Sequence, residues 1–592
     1  MKRPYSYPAA VKLTFGRGRR LIRFTLGAAV AASVLLPVQP AQAAAGLEPF
    51  TAKFNLTRID GDKTTLIDSA EAAGVARASS VSEVLGERTG IPELCHGTGL
   101  NGAYRYDGFC WDSADDFTGY NDANGGWMPQ GFAGAHAATD NGLYEGRSLY
   151  AASWYYGKYA NNSANEEYTR VTIAESTGDR VGYGHIALVE PVNGNFKNLT
   201  YLSHADGVAW LEDRLFVANG VELQVYDLTK MWRMSDTASS GTGLVGGKSS
   251  ARQHRWALPL VARYSTYGEA EADTPSTAFV GGNPRACGPT NGVLCMSTLS
   301  IDRSGASPVL VSTENRSGAG ARIVRWPLSE LGTGTPKQVS AYTTGYTSPV
   351  WGIQGTATDG TSYYMAGSCP AGWPGWDADA KDDQGRPNPH NKLYACIHKA
   401  KPGEAPHVIS QAPWLTQGLS WDRRVNRLWG LNEALDSGGV GRRVVFSIDT
   451  KAGQADSGGY MWLANHNRPG FVCATPQGDG TANGTPITVW PCSGSEGQRW
   501  KYDNGLIVHK ASGKCITPQG NASGTDGTLL TLWTCNPASD VQKFFSHANG
   551  TANAWGKAIT PKGNSLASGV WLTLWTQGSP TPDVQEWVVK TL

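Results

Sequence analysis

Charge is what this chain has least of. Asp, Glu, Lys and Arg together make 17% of its 592 residues, against ~25% in ordinary soluble domains. They nearly cancel, at +1, which excludes the broad basic face a nucleic-acid binder needs. Long apolar runs are missing after residue 43, so no helical membrane span is expected there. The strings that mark common chemistries are missing too. There is no G-x-S-x-G elbow, no H-E-x-x-H and no Walker loop, and no C-x-x-C for zinc or redox work. What is abundant is glycine, at 73 residues, and tryptophan, at 21. That mixture suits many short strands joined by tight turns. Disorder is excluded by the 40% of hydrophobic residues.

The few charges are unevenly placed. Residues 1–43 carry seven Lys or Arg and no acid, which leaves 44 basic against 50 acidic residues, a net of −6, in the remainder. Arg17, Arg19, Arg20 and Arg23 precede an apolar stretch from Phe24 to Val38, and Ala41-Gln42-Ala43 follows it. A basic start, a short apolar centre and a small-x-small end are the parts of a secretory signal peptide. Export to the outside of the cell is therefore expected, with the mature chain starting near Ala44. Arg19-Arg20 also permits a twin-arginine route.

The ten cysteines fall as five successive pairs: Cys95/Cys110, Cys287/Cys295, Cys369/Cys396, Cys473/Cys492 and Cys515/Cys535. An even number in an exported chain predicts disulfides, here between sequence neighbours.

Three consecutive segments at the C-terminal end copy one another. Cys473-Ala-Thr-Pro-Gln-Gly-Asp is followed by Ile487-Thr-Val-Trp490-Pro-Cys492 and Gln498-Arg-Trp500. The second copy reads Cys515-Ile-Thr-Pro-Gln-Gly-Asn, Leu530-Thr-Leu-Trp533-Thr-Cys535 and Gln542-Lys-Phe544. The third reads Ala558-Ile-Thr-Pro-Lys-Gly-Asn, Leu572-Thr-Leu-Trp575-Thr-Gln577 and Gln585-Glu-Trp587. Alternating apolar strands with Gly, Asn and Pro turns at a fixed period predict a threefold all-β unit. The third copy has lost both cysteines together, which argues that Cys473–Cys492 and Cys515–Cys535 are bonded.

This part resembles the ricin B-type, or Q-x-W, β-trefoil lectins, over about residues 460–592. The resemblance implies that the Gln and aromatic of each Q-x-W pack inside. It also implies one shallow sugar site per copy, using an Asp two residues after the first cysteine and polar and aromatic groups on the strand ending in Leu-Trp. Here the Asp position holds Thr475, Thr517 and Thr560, and the polar position before each Trp holds Thr488, Thr531 and Thr573. A threonine hydroxyl cannot replace a carboxylate that accepts two hydrogen bonds. Either the copies take another glycan through these threonines, Gln477, Gln519, Lys562 and the faces of Trp490, Trp533 and Trp575, or the trefoil is a scaffold that no longer binds.

A weaker repeat runs from 96 to 450. Trp127-Met-Pro-Gln130-Gly131, Trp351-Gly-Ile-Gln354-Gly355 and Trp414-Leu-Thr-Gln417-Gly418 share W-x-x-Q-G, and Asp206-Gly207 and Ser297-Thr298 stand in the same phase. Strand, Asp/Gly turn and strand follow each of the last four, usually with a third strand. Five such units predict a β-propeller of five blades, with six blades or a β-sandwich as alternatives. The expected organisation is thus all-β: a signal peptide (1–43), an N-terminal extension (44–94) with a short Ala-rich helix somewhere in 69–85, a propeller (95–452) and a trefoil (460–592), with a polar linker at 455–459.

In a propeller the first strand of each blade lines the channel, so Gln130, Asp206, Ser297, Gln354 and Gln417 are expected as a ring at one mouth. Amides beside Trp faces suit a neutral sugar. The same residues also serve as ordinary packing between blades. Glycoside hydrolysis needs two carboxylates about 5 to 9.5 Å apart, and the candidates are Asp206, Glu314 and Glu433, with Asp115 and Asp116 in a nearby loop. None belongs to a recognisable hydrolase motif. His204, two residues from Asp206, offers a polar pair or a metal ligand. Asp377, Asp379, Asp382 and Asp383 would suit Ca²⁺, but Lys381 and Asn388 stand where an EF-hand loop needs oxygen ligands. No metal or cofactor is expected. The functional expectation is a secreted monomer that binds an extracellular polysaccharide or cell-surface glycan, with no nucleic-acid or membrane partner. The alternatives are a furanosidase-like glycoside hydrolase carrying a sugar-binding module, and a propeller that binds another protein.

Overall fold

The computed structural model describes residues 46–590 apart from 117–125, 158–167, 267–293, 381–389, 434–442, 451–459 and a number of shorter stretches. The expected signal peptide, the linker, Cys287, Asp382 and Asp383 lie outside the described residues. No described helix is long and apolar enough to cross a membrane.

Both repeats become β-structure. The first forms five antiparallel blades of four strands, with blades one and two joined by parallel pairing of Trp256–Pro259 with Ile186–Val189. Blade one is Gly126–Gly134, Leu149–Gly157, Thr169–Ser176 and Val181–Val192. Blade two is Gly207–Leu211, Arg214–Asn219, Glu222–Asp227 and Trp256–Ser265. Blade three is Thr298–Asp302, Val309–Thr313, Ala321–Pro327 and Thr344–Ser348. Blade four is Gly355–Thr358, Tyr363–Ser368, Tyr394–Ala400 and His407–Pro413. Blade five is Thr416–Asp422, Arg427–Asn432 and Val444–Asp449, completed by Gly108–Cys110 from before blade one.

The first strands of the blades touch in the order one, two, three, four, five and back to one. That closed ring is the architecture of a five-bladed propeller. The N-terminal strand that finishes blade five ties the two ends of the ring together, so the sheets leave no open edge between first and last blade.

Packing between blades follows from strands that are apolar on both faces. Val171, Ile173 and Ile186 of blade one meet Val208, Trp210 and Tyr226 of blade two. The same happens between two and three around Phe216, Leu223, Leu310 and Trp326. Three and four meet at Val311, Ile323 and Met365, four and five at Tyr364, Ile397, Leu428 and Phe446. Five and one share an aromatic layer of Phe109, Trp111, Phe132, Trp154 and Tyr183.

The glycine of the repeat motif has a structural reason. A Cβ on Gly131 would stand 2.4 Å from the backbone nitrogen of Val208, and one on Gly418 would stand 2.4 Å from that of Phe132. Gly207 meets Leu299 N at 2.7 Å in the same way. Neighbouring first strands thus approach backbone to backbone near the axis, where only glycine leaves room.

The extension departs from the single helix expected in 69–85. Thr64–Ala72 is an α-helix and Val81–Gly86 a 3-10 turn. Gly74, at φ +113°, ends the first, and Ala76–Arg77 is extended between them. Ser80 caps the second turn in a reciprocal box with Glu83. Glu48–Thr51 adds a fifth strand to the edge of blade three.

In the C-terminal part, Met461–Asn465 pairs with Trp587–Lys590, so the last copy closes on the start of the first. The Q-x-W aromatics Trp500, Phe544 and Trp587 are fully buried with Ile487, Ile516, Leu530, Ile559 and Leu572. Disulfides join Cys95–Cys110, Cys369–Cys396, Cys473–Cys492 and Cys515–Cys535, as expected between sequence neighbours. Cys295 is also disulfide-bonded.

Candidate functional site

The six trefoil threonines are buried. In Thr475, Thr517 and Thr560 each hydroxyl accepts a hydrogen bond from the Q-x-W glutamine of its own copy: Gln498 Nε2 at 3.0 Å, Gln542 Nε2 at 2.8 Å and Gln585 Nε2 at 3.1 Å. Thr488, Thr531 and Thr573 donate to the backbone carbonyls of those same threonines at 2.8, 3.0 and 2.8 Å. These side chains therefore hold the copy together. The physical reason is local: a threonine is too short to reach the surface from this strand, and the buried Gln amide needs an acceptor.

What each copy turns outward is its tryptophan. Trp490, Trp533 and Trp575 are 45%, 49% and 50% exposed, although they end strands whose other members are core. The strands carrying them meet through bridges between Pro486 and Thr531, Thr488 and Trp571, and Leu529 and Thr573. The three indoles are thus related by the pseudo-threefold axis. Each also lies against a glycine of another copy. A Cβ on Gly484 would be 3.8 Å from Trp533, one on Gly527 3.6 Å from Trp575, and one on Gly569 3.8 Å from Trp490. All three glycines have positive φ, so the turns that seat the indoles favour glycine twice over.

Polar groups flank these faces. Gln477, Gln519 and Lys562 are exposed on one-turn 3-10 segments. Asn483 Nδ2 donates to Thr534 Oγ1 at 3.3 Å. Asp526 accepts from Thr576 N and Lys557 Nζ, both at 2.7 Å, next to Trp575. The Lys557 ammonium beside it holds its carboxyl below the usual carboxylate range. Asp526 was not among the residues expected from the sequence. The readable signal is its phase, since Asn483-Gly484, Asp526-Gly527 and Ser568-Gly569 occupy equivalent turns.

Of the five residues expected as a ring, Asp206 and Gln417 enter one buried polar cluster. Asp206 and Glu433 are both buried. Asp206 bonds His204 Nδ1 at 2.8 Å and accepts from Gly220 N at 2.9 Å. His204 stacks on Tyr155 at 4.0 Å, and Tyr155 donates to Glu433 at 3.3 Å. Gln417 donates to the other oxygen of Glu433 at 2.9 Å. Blades one, two and five therefore contribute to one connected polar cluster. Gln130 adds a buried amide nitrogen with no partner among the described residues. Glu314 is placed differently. Arg322 Nε at 2.7 Å and Arg316 Nε at 2.9 Å hold it as a buried ion pair. Ser297 accepts a backbone bond from Asn315 at 3.0 Å.

Gln354 opens onto a cavity of about 270 Å³ lined by Trp351, Trp414, Asn315, His390 and Asn391. Two of the three expected tryptophans thus flank one space. The third, Trp127, lies elsewhere, under the Arg170 guanidinium at 4.4 Å.

Asp115 anchors the wall behind Trp127. It receives Arg170 Nη2 at 2.6 Å, Tyr183 OH at 2.9 Å and His185 Nε2 at 3.0 Å. Burial pushes its carboxyl up, but Arg170, His185 and Arg88 outweigh this and hold it well below the usual range. Its partners come from blade one while Asp115 itself precedes that blade, so nothing local in the sequence joins them. A carboxyl whose folded value is depressed stabilises fully above its unfolded value of about 4, and the contribution fades as pH falls below that. Asp115→Asn leaves Arg170 buried without its counter-charge and is expected to cost about 3 kcal/mol or more at pH 7. The difference from wild type in urea unfolding should shrink at pH 3.

Asp377 accepts from Asp379 N at 2.9 Å, a local turn bond. Among the described residues the one close group of metal-type ligands is Cys95, His96 and Cys110, whose two sulfurs are consumed by a disulfide.

Residues 461–587 match the family model of the ricin-type beta-trefoil lectin domain, and this part of the chain is such a domain. A designed 3-fold symmetric protein, ThreeFoil, is 21% identical, covering 23% of this chain and 99% of its own, at a TM-score of 0.20. The C-half of an earthworm R-type lectin solved with GalNAc is 14% identical, over 22% of this chain and 98% of its own, at 0.19. An exo-beta-1,3-galactanase from Clostridium thermocellum is 14% identical, over 75% of this chain and 80% of its own, at 0.20. What those proteins bind or cleave is a property of theirs. The "Probable lipoprotein EnvE" of Salmonella typhimurium is 43% identical over 47 residues, 8% of this chain, and the chain spans about a quarter (27%) of that relative's length.

Proposed function

We propose that this is a secreted glycan-binding protein in which the trefoil holds an extracellular polysaccharide through Trp490, Trp533 and Trp575. The observation that carries the reading is the repeated exposure of an indole at the end of a core strand. Large aromatic faces left in water three times, in register, are costly unless something covers them. Flat apolar faces with flanking hydrogen-bonding groups match the alternating C–H and O–H surface of a sugar ring. Gln477, Gln519, Lys562, Asn483 and Asp526 supply polar groups around them. The buried threonines explain why no family-type carboxylate is needed at their positions. Specificity passes to the flanks, which differ between copies as Asn483, Asp526 and Ser568. Panel binding by the mature protein, with and without the three indoles, tests this.

A second reading is favoured by the Asp206–His204–Tyr155–Glu433 cluster. Two acids joined through one imidazole and one phenol, beside a Trp-flanked cavity, are parts a glycoside hydrolase uses. If the mouth is catalytic, Asp206→Asn abolishes release of reducing sugar from the polysaccharide that the trefoil retains, with retention unchanged. Release undiminished in that variant removes Asp206 from any catalytic role.

A further inference from the structure

We propose that a second cavity, against the outer half of blade one, is a site for an oxyanion: a ligand bearing carboxylate, sulfate or phosphate. The cavity measures about 800 Å³, in the size range of small-ligand pockets. It lies between the 3-10 turn at Val81–Gly86, the face of blade one carrying Arg170 and His185, and the turn Arg252–Arg255. It belongs neither to the trefoil nor to the propeller mouth, and it stands independently of the glycan reading.

Four guanidiniums line the space, those of Arg88, Arg170, Arg252 and Arg255. Three carboxylates do as well, each engaged, and Asp115 behind them pairs with Arg170 at 2.6 Å and Arg88 at 3.5 Å, so Arg88, Arg170 and Arg255 each already face a carboxylate. Glu83 accepts from the backbone of Ser79 and Ser80 at 2.7 and 3.2 Å. Asp112 holds Arg88 at 2.8 Å and accepts from Ala114 and Asp115 N. Glu87 stands 3.7 Å from Arg255.

Two of the guanidiniums keep unused capacity. Arg252 makes no ion pair among the described residues. It lies over the Tyr168 ring at 3.3 Å, a contact that orients the guanidinium plane without neutralising it. Arg170, held by Asp115 through Nη2, is 96% buried, and its Nε has no hydrogen-bond partner among the described residues. A planar fork held by aromatic stacking loses little freedom when an oxyanion binds it bidentately.

The turn is built to present these groups. Arg252 and Gln253 both adopt left-handed backbone conformations, at φ 47° and 65°. For two consecutive residues other than glycine this is a cost. Their amides are fixed by Gly241 and Ser239 carbonyls at 2.9 Å. His254 Nδ1 faces the carbonyls of Ala251 and Arg252 at 3.0 and 2.9 Å, so it carries the proton and leaves Nε2 as the free nitrogen. Burial, with Arg170 next, pushes His254 down to about 3 and His185 down to about 4. Both imidazoles are thus kept neutral mainly by burial, which leaves Arg252 as the guanidinium of this pocket with no ion pair among the described residues.

The test is calorimetric titration of the full mature protein with three probes, namely glucuronate, inorganic sulfate and inorganic phosphate, with glucose as the neutral control. The expected result is binding of at least one anion, weakened about tenfold or more by Arg252→Gln and likewise by Arg255→Gln. Both side chains reach the surface, so unchanged melting of the variants checks that the fold is intact. Preference for glucuronate assigns a sugar-borne carboxylate, and preference for sulfate or phosphate assigns those esters. The proposal is overturned if no anion binds, if both variants bind as tightly as wild type, or if glucose binds as well as the anions and loses as much in the variants.

Discussion

Replacing Trp490, Trp533 and Trp575 together by Ala should remove polysaccharide retention while leaving the fold intact. Each indole is about half exposed, so truncation removes little from the core, and surface changes of this kind usually shift stability by no more than about 0.5 kcal/mol each. Covering the exposed half of an indole with a sugar ring contributes about 1 to 2 kcal/mol. One lost indole therefore weakens binding about tenfold. Three sites on one polymer act together, so losing all of them costs more than about a hundredfold. Single variants separate the copies. If Trp575 matters most, the Asp526 carboxylate beside it is the cause. Asp526→Asn should then weaken retention without the loss of an indole.

The largest effect on stability is expected at the axis. Gly131→Val places a branched side chain where a Cβ already stands 2.4 Å from Val208 N and 2.7 Å from the backbone of Gly207. Neither neighbour is a side chain that can turn away, and moving either strand opens the ring. The expected cost is more than about 4 kcal/mol, read as loss of soluble protein or a large fall in the denaturant midpoint. Gly86→Ala is the control. Nothing stands within 4 Å of a Cβ there and φ is not positive, so its effect should stay within about 1 kcal/mol.

Local repetition made both domains legible. The trefoil was readable because Cys, Leu-Trp and Q-x-W recur at one spacing, and the disulfides because neighbours in sequence are neighbours in space. The five blades were readable because their first strands share one phase, and four of them carry the glycine that the axis crowds, at Gly131, Gly207, Gly355 and Gly418. What was not legible is what comes from far away. Gly108–Cys110 completes a blade formed more than 300 residues later, and no periodicity announces it. The Asp115 cluster and the arginine-lined cavity are assembled from separate segments in the same way.

At the trefoil surface the threonines are placed by contacts that the repeat alone does not show. Threonines aligned with a family's binding carboxylate suggest a sugar contact, yet Gln498, Gln542 and Gln585 take up their hydroxyls. Alternation gives no warning of this. Thr488 and Trp490 both lie on the strand Ile487–Pro491, and residues two apart share a face. Trp490 Nε1 in fact donates to Thr488 Oγ1 at 3.1 Å. The threonine lies beneath the indole, and the edge of the barrel leaves only the larger side chain in reach of solvent. Of the candidate carboxylates, Glu314 is paired with two arginines two and eight residues on.

The central claim is that this chain binds a glycan through the outward indoles of its C-terminal domain. The direct measurement is retention of the mature protein on a panel of insoluble polysaccharides, followed by elution with soluble fragments of whichever one holds it. Retention on at least one member, elution by its own oligosaccharide, and loss in the triple Trp→Ala variant are the predicted results. No retention on any member, or retention that survives removal of all three indoles, would contradict it.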